Sequence, residues 1–423
     1  MKSPAEPEPV DLAIVGAGAA GLFCALHAAR TAPGLRVVAL DGAKKLGAKI
    51  LVAGGGRCNV THHEVSEQDY HGSSRHAIRN VLRRYPVEQT VALFHELGVE
   101  LKREDTGKLF PTTDSARTVL DALLRAVRDS GGEIRHPWRV ETLAAQGDDY
   151  LLTNTEGDMI RARRVVLAAG GRSLPKSGSD GAGERLARIL GLPISRRVLP
   201  ALVPLTTPRD WFLCALSGIA FPARVSVRTG NGKTLAATTG SVLCTHFGLS
   251  GPAILDISRS LIDAGFDDCD ATLMLCALPA FTPEALDARL SELGRRTPGA
   301  YLKSVGLPER LASMLCSHAG VDPSAPATSL RRDPRRRLVR VLTELEVPVI
   351  EPRGWNYAEV TAGGVPLSAL VLKTMESRDR PRLHLCGEVC DVDGRIGGFN
   401  FQWAWSSGYV AGVSAAKALS DSL

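Results

Sequence analysis

The chain has 423 residues, 44% of them hydrophobic and 23% charged, which excludes disordered and collagen-like classes and fits a globular protein of two or three domains. No apolar run approaches the ~18 residues that cross a bilayer, so no membrane association is expected. The net charge of +6 comes from Arg scattered along the whole chain with one dense cluster, Arg331-Arg332-Asp333-Pro334-Arg335-Arg336-Arg337. A run of that kind reads as a solvated face, and nucleic acid is not the expected partner.

Residues 1–10, MKSPAEPEPV, are rich in Pro and Glu and lack the basic-then-apolar pattern of a secretion signal, so they read as a short disordered tail. The nine Cys are odd in number, form no CxxC pair and match no zinc spacing. They read as reduced thiols in a cytoplasmic protein without a metal site. Cys386 and Cys390, four apart, are read as structural and not as a redox pair.

The sharpest signal follows the tail. Val10–Val15 is an apolar run of strand length that leads into Gly16-Ala17-Gly18-Ala19-Ala20-Gly21, after which Leu22, Leu26 and Ala29 keep helical spacing. Residues 36–40 form a second buried strand ending at Asp41, an acid 20 residues past Gly21. Strand, GxGxxG, helix, strand and acid together make a dinucleotide-binding fingerprint. Gly16 permits the turn, Gly18 admits a pyrophosphate, and Gly21 lets helix and strand pack closely. The helix N-terminus faces the phosphates, and Asp41 accepts from a ribose diol.

Further along, residues 108–130 predict a helix with Asp114 as its cap, and 133–154 predict hairpin strands. Residues 163–171, RRVVLAAGG, and 383–388, LHLCGE, read as strands of the same dinucleotide domain, separated by about 200 residues of insertion. The expected layout is a discontinuous FAD-binding domain (11–195 and 356–423), an inserted β-rich domain (196–279 and 346–355) and a helical insert (280–345). Asn231-Gly232 marks a hairpin in the β-rich part, and Pro283-Glu284 opens a helix with Leu286, Leu290 and Leu293 on one face. The returning Gly387-Glu388 favours FAD over NAD, since the acid would reach the ribityl chain. A helix starting at Gly397-Gly398 would aim its amides at a flavin edge that gains negative charge on reduction.

With these strings in place, the chain resembles the BaiN/YhiN-like bacterial flavoproteins, also described as aminoacetone-oxidase-type FAD enzymes. The resemblance spans about residues 11–415. It rests on IVGAGAAGL, KILVAGGGRCNVT, LAAGGRSLPKSGSDGAGERLA, PALVPL, LCTHFGLSGPAIL, VTAGGV, KTMES and CGEVCDVDGRIGGFNFQWAWSSGYVAG. It implies an α/β fold: a Rossmann-like FAD-binding domain of the two-dinucleotide-binding-domain type, with an inserted β-rich domain and a helical subdomain. It also implies a set of FAD contacts: Gly16, Ala17, Gly18, Ala19, Ala20 and Gly21 at the pyrophosphate; Asp41 and Gly42 at the ribose; and Val140 by its backbone at adenine. Lys49, Gly54, Gly55, Gly56, Arg57, Cys58 and Asn59 would lie along diphosphate and flavin. Ala168, Ala169, Gly170, Gly171, Gly363, Gly364, Gly387, Glu388, Gly397, Gly398, Phe399, Asn400 and Phe401 complete the set. Asp41 stands where the family has Glu, Ala53 where Ser is common, and Ala169 where Thr is expected.

The candidate catalytic group is His246, a lone His in a Gly-rich turn that could move a proton near neutral pH. The structural alternative, a His hydrogen-bonded at that turn, stands beside it. The expected function is hydride transfer between non-covalently bound FAD and a small organic substrate, fed by NAD(P)H as a transient donor. An O2-linked oxidase of a small amine is the alternative, and a flavin-bearing nucleic-acid-modifying protein is a third reading. No feature of the sequence assigns an oligomeric state.

Overall fold

A computed structural model describes residues 6–421. The chain divides into two compact units, one formed by residues up to Val198 together with those from Val360 onward, the other by Leu199–Glu359.

The first unit opens with β1 (Glu8–Val15), α1 (Ala19–Thr31) and β2 (Val37–Leu40). The parallel register Leu12↔Val37 to Val15↔Leu40 reflects two runs buried on both faces, as crossover packing demands. The expected tail is corrected at its far end: Glu8 already pairs with Ile160, and Arg135 grips its carboxylate with two nitrogens at 2.6 and 2.8 Å. Residues 1–5 lie outside the described residues.

Beyond a stretch of shorter helices and strands, the sheet's remaining N-terminal part is built from α2 (Ala116–Asp129), β3 (Glu133–Arg135), β4 (Val140–Gln146), β5 (Asp149–Asn154) and β6 (Met159–Leu167). Asp114 does not cap α2. Ser115 holds that position, while Asp114 has a left-handed φ of 50° and gives its carboxylate to Lys102 and Arg57. Of the predicted hairpin strands, β4 and β5 do pair, but β3 lies on β2 at the sheet edge.

The second unit carries β7 (Leu205–Thr206), β8 (Ala220–Arg228), β9 (Thr234–Thr245), β10 (Gly248–Ser250), α3 (Pro252–Ala264) and β11 (Thr272–Cys276). Four helices follow, α4 (Pro283–Ser291), α5 (Pro298–Ser304), α6 (Glu309–His318) and α7 (Arg332–Thr343), then β12 (Leu345–Val347) and β13 (Glu351–Pro352). Its seven-stranded sheet runs β12-β11-β8-β9-β10-β7-β13, and Asn231-Gly232 turns the β8–β9 hairpin. Val225, Val242 and Leu273 of the sheet share one core with Leu286, Leu290, Leu311 and Leu342 of the helices. The β-rich and helical stretches therefore form one compact unit. The amphipathic helices bury their apolar stripes on the sheet's inner face.

The chain then returns to the first unit through β14 (Leu370–Val371), β15 (Glu376–Ser377), β16 (Leu383–Leu385) and the 22-residue α8 (Phe399–Ser420). The sheet there is nine-stranded, ordered β14-β15-β16-β6-β1-β2-β3 with β5 and β4 branching from β6. Among the described residues no helix is long and apolar enough to cross a membrane.

Candidate active site

The turn after β1 shows what each fingerprint glycine does. A Cβ on Gly16 would lie 2.5 Å from the Ala168 carbonyl oxygen, and one on Gly21 would lie 1.8 Å from that of Gly16. Both positions are closed by the protein's own backbone. Gly18 differs: no atom comes within 4 Å of its would-be Cβ, and its φ of −79° suits any residue. The protein does not require glycine there, whereas a ligand in the open space would. Gly18 is also the N-cap of α1 and offers no side-chain cap, so the first-turn amides are left to a ligand.

Asp41 sits at the end of β2, where its two carboxylate oxygens accept from the amides of Ala17 and Ala43, each at 2.8 Å. That ties the acid to the glycine turn. Trp138 donates to the Asp41 carbonyl at 2.7 Å and Arg139 packs on Gly42, bringing Val140 to the same edge. The strand end at Ala168 is hydrogen-bonded to Val15, so residues 168–171 lie against the glycine turn.

Glu388 is the hub of the next layer. Lys49 forms an ion pair with its carboxylate, Ser173 donates its hydroxyl at 2.7 Å, and the Thr361 amide donates at 2.9 Å. Burial alone would push this carboxyl's pKa up, but the charge of Lys49 and the hydrogen bonds from Lys49, Ser173 and Thr361 outweigh it and hold the pKa down. Thr361 Oγ1 in turn accepts from the amides of Arg172 and Ser173 at 2.7 and 3.1 Å. Ser173 and Thr361 escaped the sequence reading, although each lies inside a quoted motif as a hydroxyl beside glycines. Gly363 and Gly364 follow Thr361, and a Cβ on Gly364 would lie 2.5 Å from the Val389 carbonyl oxygen, which keeps this turn beside Glu388.

Gly54, Gly55 and Gly56 all have left-handed φ, 56°, 69° and 86°, so the turn's conformation by itself calls for glycine. Arg57 covers the Phe110 ring at 4.0 Å and pairs with Glu104 at 2.7 Å. Cys58 is fully buried, and burial pushes its thiol up to about 12, so it stays protonated and unreactive. Segments 58–62 and 397–401 meet: a Cβ on Gly398 would lie 2.6 Å from Thr61, and the His62 ring stacks on Phe399 at 4.9 Å. Asn400 spends its side chain on Gly394, accepting at 2.8 Å and donating at 2.9 Å, while Phe401 stacks on Trp405. These residues offer a ligand the amides of the first turn of α8, whose N-cap Gly398 provides no side-chain cap.

Two buried polar atoms in this region lack a partner among the described residues, Asn59 Oδ1 behind Gly54 and Ser179 Oγ beside Gly170. Orphaned acceptors and donors, uncapped helix starts and the open space at Gly18 fit an extended dinucleotide with hydroxyls, phosphates and a flavin ring. His246 belongs to the other unit, exposed in the turn between β9 and β10. Its ring meets Phe247 edge-on at 5.1 Å, and Arg353 lies 3.8 Å over Phe247 and 3.7 Å over Tyr357.

Residues 10–414 match the HI0933-like protein Rossmann domain. The chain belongs to that family. This HI0933-like chain is 32% identical over 410 residues to a 3-dehydro-bile acid delta(4,6)-reductase of Clostridium scindens, covering 96% of this chain and 99% of that one. It is 34% identical over 411 residues to a ribosomal RNA dihydrouridine synthase of Escherichia coli, covering 95% and 97%. A like-named protein of Haemophilus influenzae is 31% identical over 414 residues, covering 96% and 98%. A quinol fumarate reductase of E. coli shares the fold, with a TM-score of 0.54 at 17% identity, covering 99% of this chain and 72% of that one. The HI0933-like chain is an FAD-dependent oxidoreductase with a Rossmann-type FAD-binding domain.

Proposed function

We propose that the protein uses non-covalently bound FAD and electrons from NAD(P)H to reduce a carbon–carbon double bond conjugated to a carbonyl, with the uracil ring of RNA as its substrate. The observation that carries this reading is the near-full-length similarity to relatives whose names describe one chemistry on two scaffolds. A 3-dehydro-delta(4,6) bile acid and uracil both hold a C=C conjugated to C=O, and both names denote its saturation. Two of these three relatives, at 34% and 31% identity, are named for dihydrouridine formation in ribosomal RNA, and the net charge of +6 suits the uracil of a polyanion. The nucleic-acid reading, ranked third from the sequence, is thereby preferred over a small free substrate.

FAD, held by residues 16–21 and by Glu388, would supply the hydride chemistry that saturates a conjugated double bond. The chain's part is to hold and to polarise. Residues 16–21 and the uncapped start of α1 anchor the phosphates, and Asp41 fixes the turn that presents those amides. Glu388, kept ionised by Lys49, is an acceptor for cofactor hydroxyls. The uncapped start of α8 presents positive dipole to negative charge and so favours a reduced ring over an oxidised one. His246, exposed in its turn, is proposed as the proton-transfer group.

Anaerobic spectrophotometry tests the reading. NADH or NADPH should bleach the flavin, and uridine-containing RNA should restore its colour without oxygen. Bleaching by a small amine but by neither nicotinamide would replace it with the oxidase alternative.

A further inference from the structure

The basic cluster at 331–337, which the sequence read as a solvated face, acquires a definite geometry in α7. Leu338, Val339 and Leu342 point into the core of the second unit. Arg335 is half-buried and gives two nitrogens to Asp287 of α4 at 2.8 and 3.2 Å, and Arg337 donates to the Ala319 carbonyl at 3.2 Å. Those two arginines serve the fold. Arg332, Arg336 and Arg340 do not: they are exposed and have no hydrogen-bond or ion-pair partner among the described residues. Their spacing of i, i+4, i+8 puts them on one solvent-facing stripe, about 6 Å apart along the axis.

This arrangement is electrostatically unfavourable in the free protein. Like charges at i, i+4 destabilise a helix, and Arg331 and Arg332 stand at its positive N-terminal end. Among the described residues three carboxylates stand on or beside this helix, and one of them, the C-cap Glu344, is paired with Arg228 at 3.1 Å. Asp287 is engaged by Arg335 and also feels Arg332 and Arg336, and Asp333 is exposed beside them. The neighbouring α4 and α6 mix signs in the ordinary way, with Glu284, Asp287 and Arg289 on one and Glu309 and Arg310 on the other. A row of exposed guanidinium groups that makes no hydrogen bond or close ion pair within the protein is what a polyanion would neutralise.

We infer that the solvent face of α7, formed by Arg332, Arg336 and Arg340, is a docking surface for the sugar–phosphate backbone of RNA. The inference rests on the uracil-in-RNA reading above and adds the surface that holds the strand. Guanidinium groups pair with phosphate oxygens bidentately and independently of base sequence, so this face supplies affinity for the strand while the flavin site supplies chemistry.

The test uses the FAD-loaded full chain and a fluorescein-labelled 20-residue oligouridylate, with binding followed by anisotropy across a salt series. Replacing all three by Ala (R332A, R336A, R340A) keeps a good helix former and removes the like-charge row, so FAD content and melting should hold. Losing three single-strand phosphate contacts should cut the log–log salt slope by about 2 and raise Kd roughly 100-fold near 0.1 M salt. The triple Arg→Lys variant should keep most of the slope. An unchanged slope in the Ala variant would overturn the inference, as would its losing affinity for phosphatidylglycerol vesicles but not for RNA. Dihydrouridine formation, measured in parallel, separates the two ideas. A stripe-dependent salt slope with no dihydrouridine removes the substrate reading alone, and full dihydrouridine formation with an unchanged slope removes the stripe alone.

Discussion

Replacing Gly18 by Val separates a glycine kept for the ligand from one kept for the fold. At Gly18 the backbone is extended, φ −79° and ψ −163°, and no protein atom stands within 4 Å of a Cβ. The change therefore creates no internal clash and removes backbone freedom from the unfolded chain, which is stabilising by ~0.4–1 kcal/mol. Loss of glycine at an N-cap works against this by a similar amount. The net effect on the apoprotein is within about 1 kcal/mol, a melting shift of roughly 2–4 °C at most. FAD, by contrast, meets two methyl groups where its diphosphate belongs. A loss of at least ~2.8 kcal/mol, or 100-fold in Kd, is expected. Gly21→Ala is the mirror case, since its Cβ would lie 1.8 Å from the Gly16 carbonyl oxygen, and the fold itself should fail. The assay is FAD absorbance per polypeptide after desalting, with melting of FAD-stripped samples alongside. An unchanged FAD ratio in Gly18→Val, or an apoprotein melting as low as Gly21→Ala, would refute the assignment of this turn.

Lys49→Met leaves the Glu388 carboxylate without its cation and should cost roughly 1–3 kcal/mol at neutral pH. In the wild type the lowered Glu388 pKa contributes stability above the unfolded carboxyl pKa, lost as pH falls through the folded value. In the variant burial raises that pKa, so melting curves at pH 7 and pH 5 should show the gap narrowing at pH 5, and an equal gap at both would contradict the ion pair's role. Iodoacetamide at pH 8 should label exposed Cys269 and spare buried Cys58, whose thiol is pushed up to about 12; mass spectrometry showing Cys58 modified in the folded protein would overturn its burial. His246→Ala should melt with the wild type and keep FAD, since the ring is exposed, yet slow turnover by about 100-fold or more if it transfers the proton; unchanged turnover would remove it from the mechanism.

The dinucleotide half of the fold was readable because its determinants are local: apolar runs of strand length, glycines at fixed spacing and an acid in register at Asp41. What escaped depends on partners far away in sequence. Glu8 belongs to a strand because Arg135 holds it, 127 residues on, so composition alone marked it as tail. Asp114 has the residue type of a helix cap, but Lys102 and Arg57 claim its carboxylate and Ser115 takes the cap. Lys49 and Glu388 were each assigned to the cofactor, yet they are 339 residues apart and pair with each other. Ser173 and Thr361, which complete that network, carry no pattern of their own. The helices at 283–343 looked like a separate body because periodicity reports a helix's apolar face and not the sheet that covers it.

Reduction of uridine is read by mass spectrometry of nucleosides from ribosomal RNA lacking dihydrouridine, incubated anaerobically with the FAD-loaded protein and NADPH or NADH. Dihydrouridine should appear in step with nicotinamide oxidation, and none when FAD is removed. Nicotinamide oxidised and the flavin turning over with every uridine left intact would contradict it.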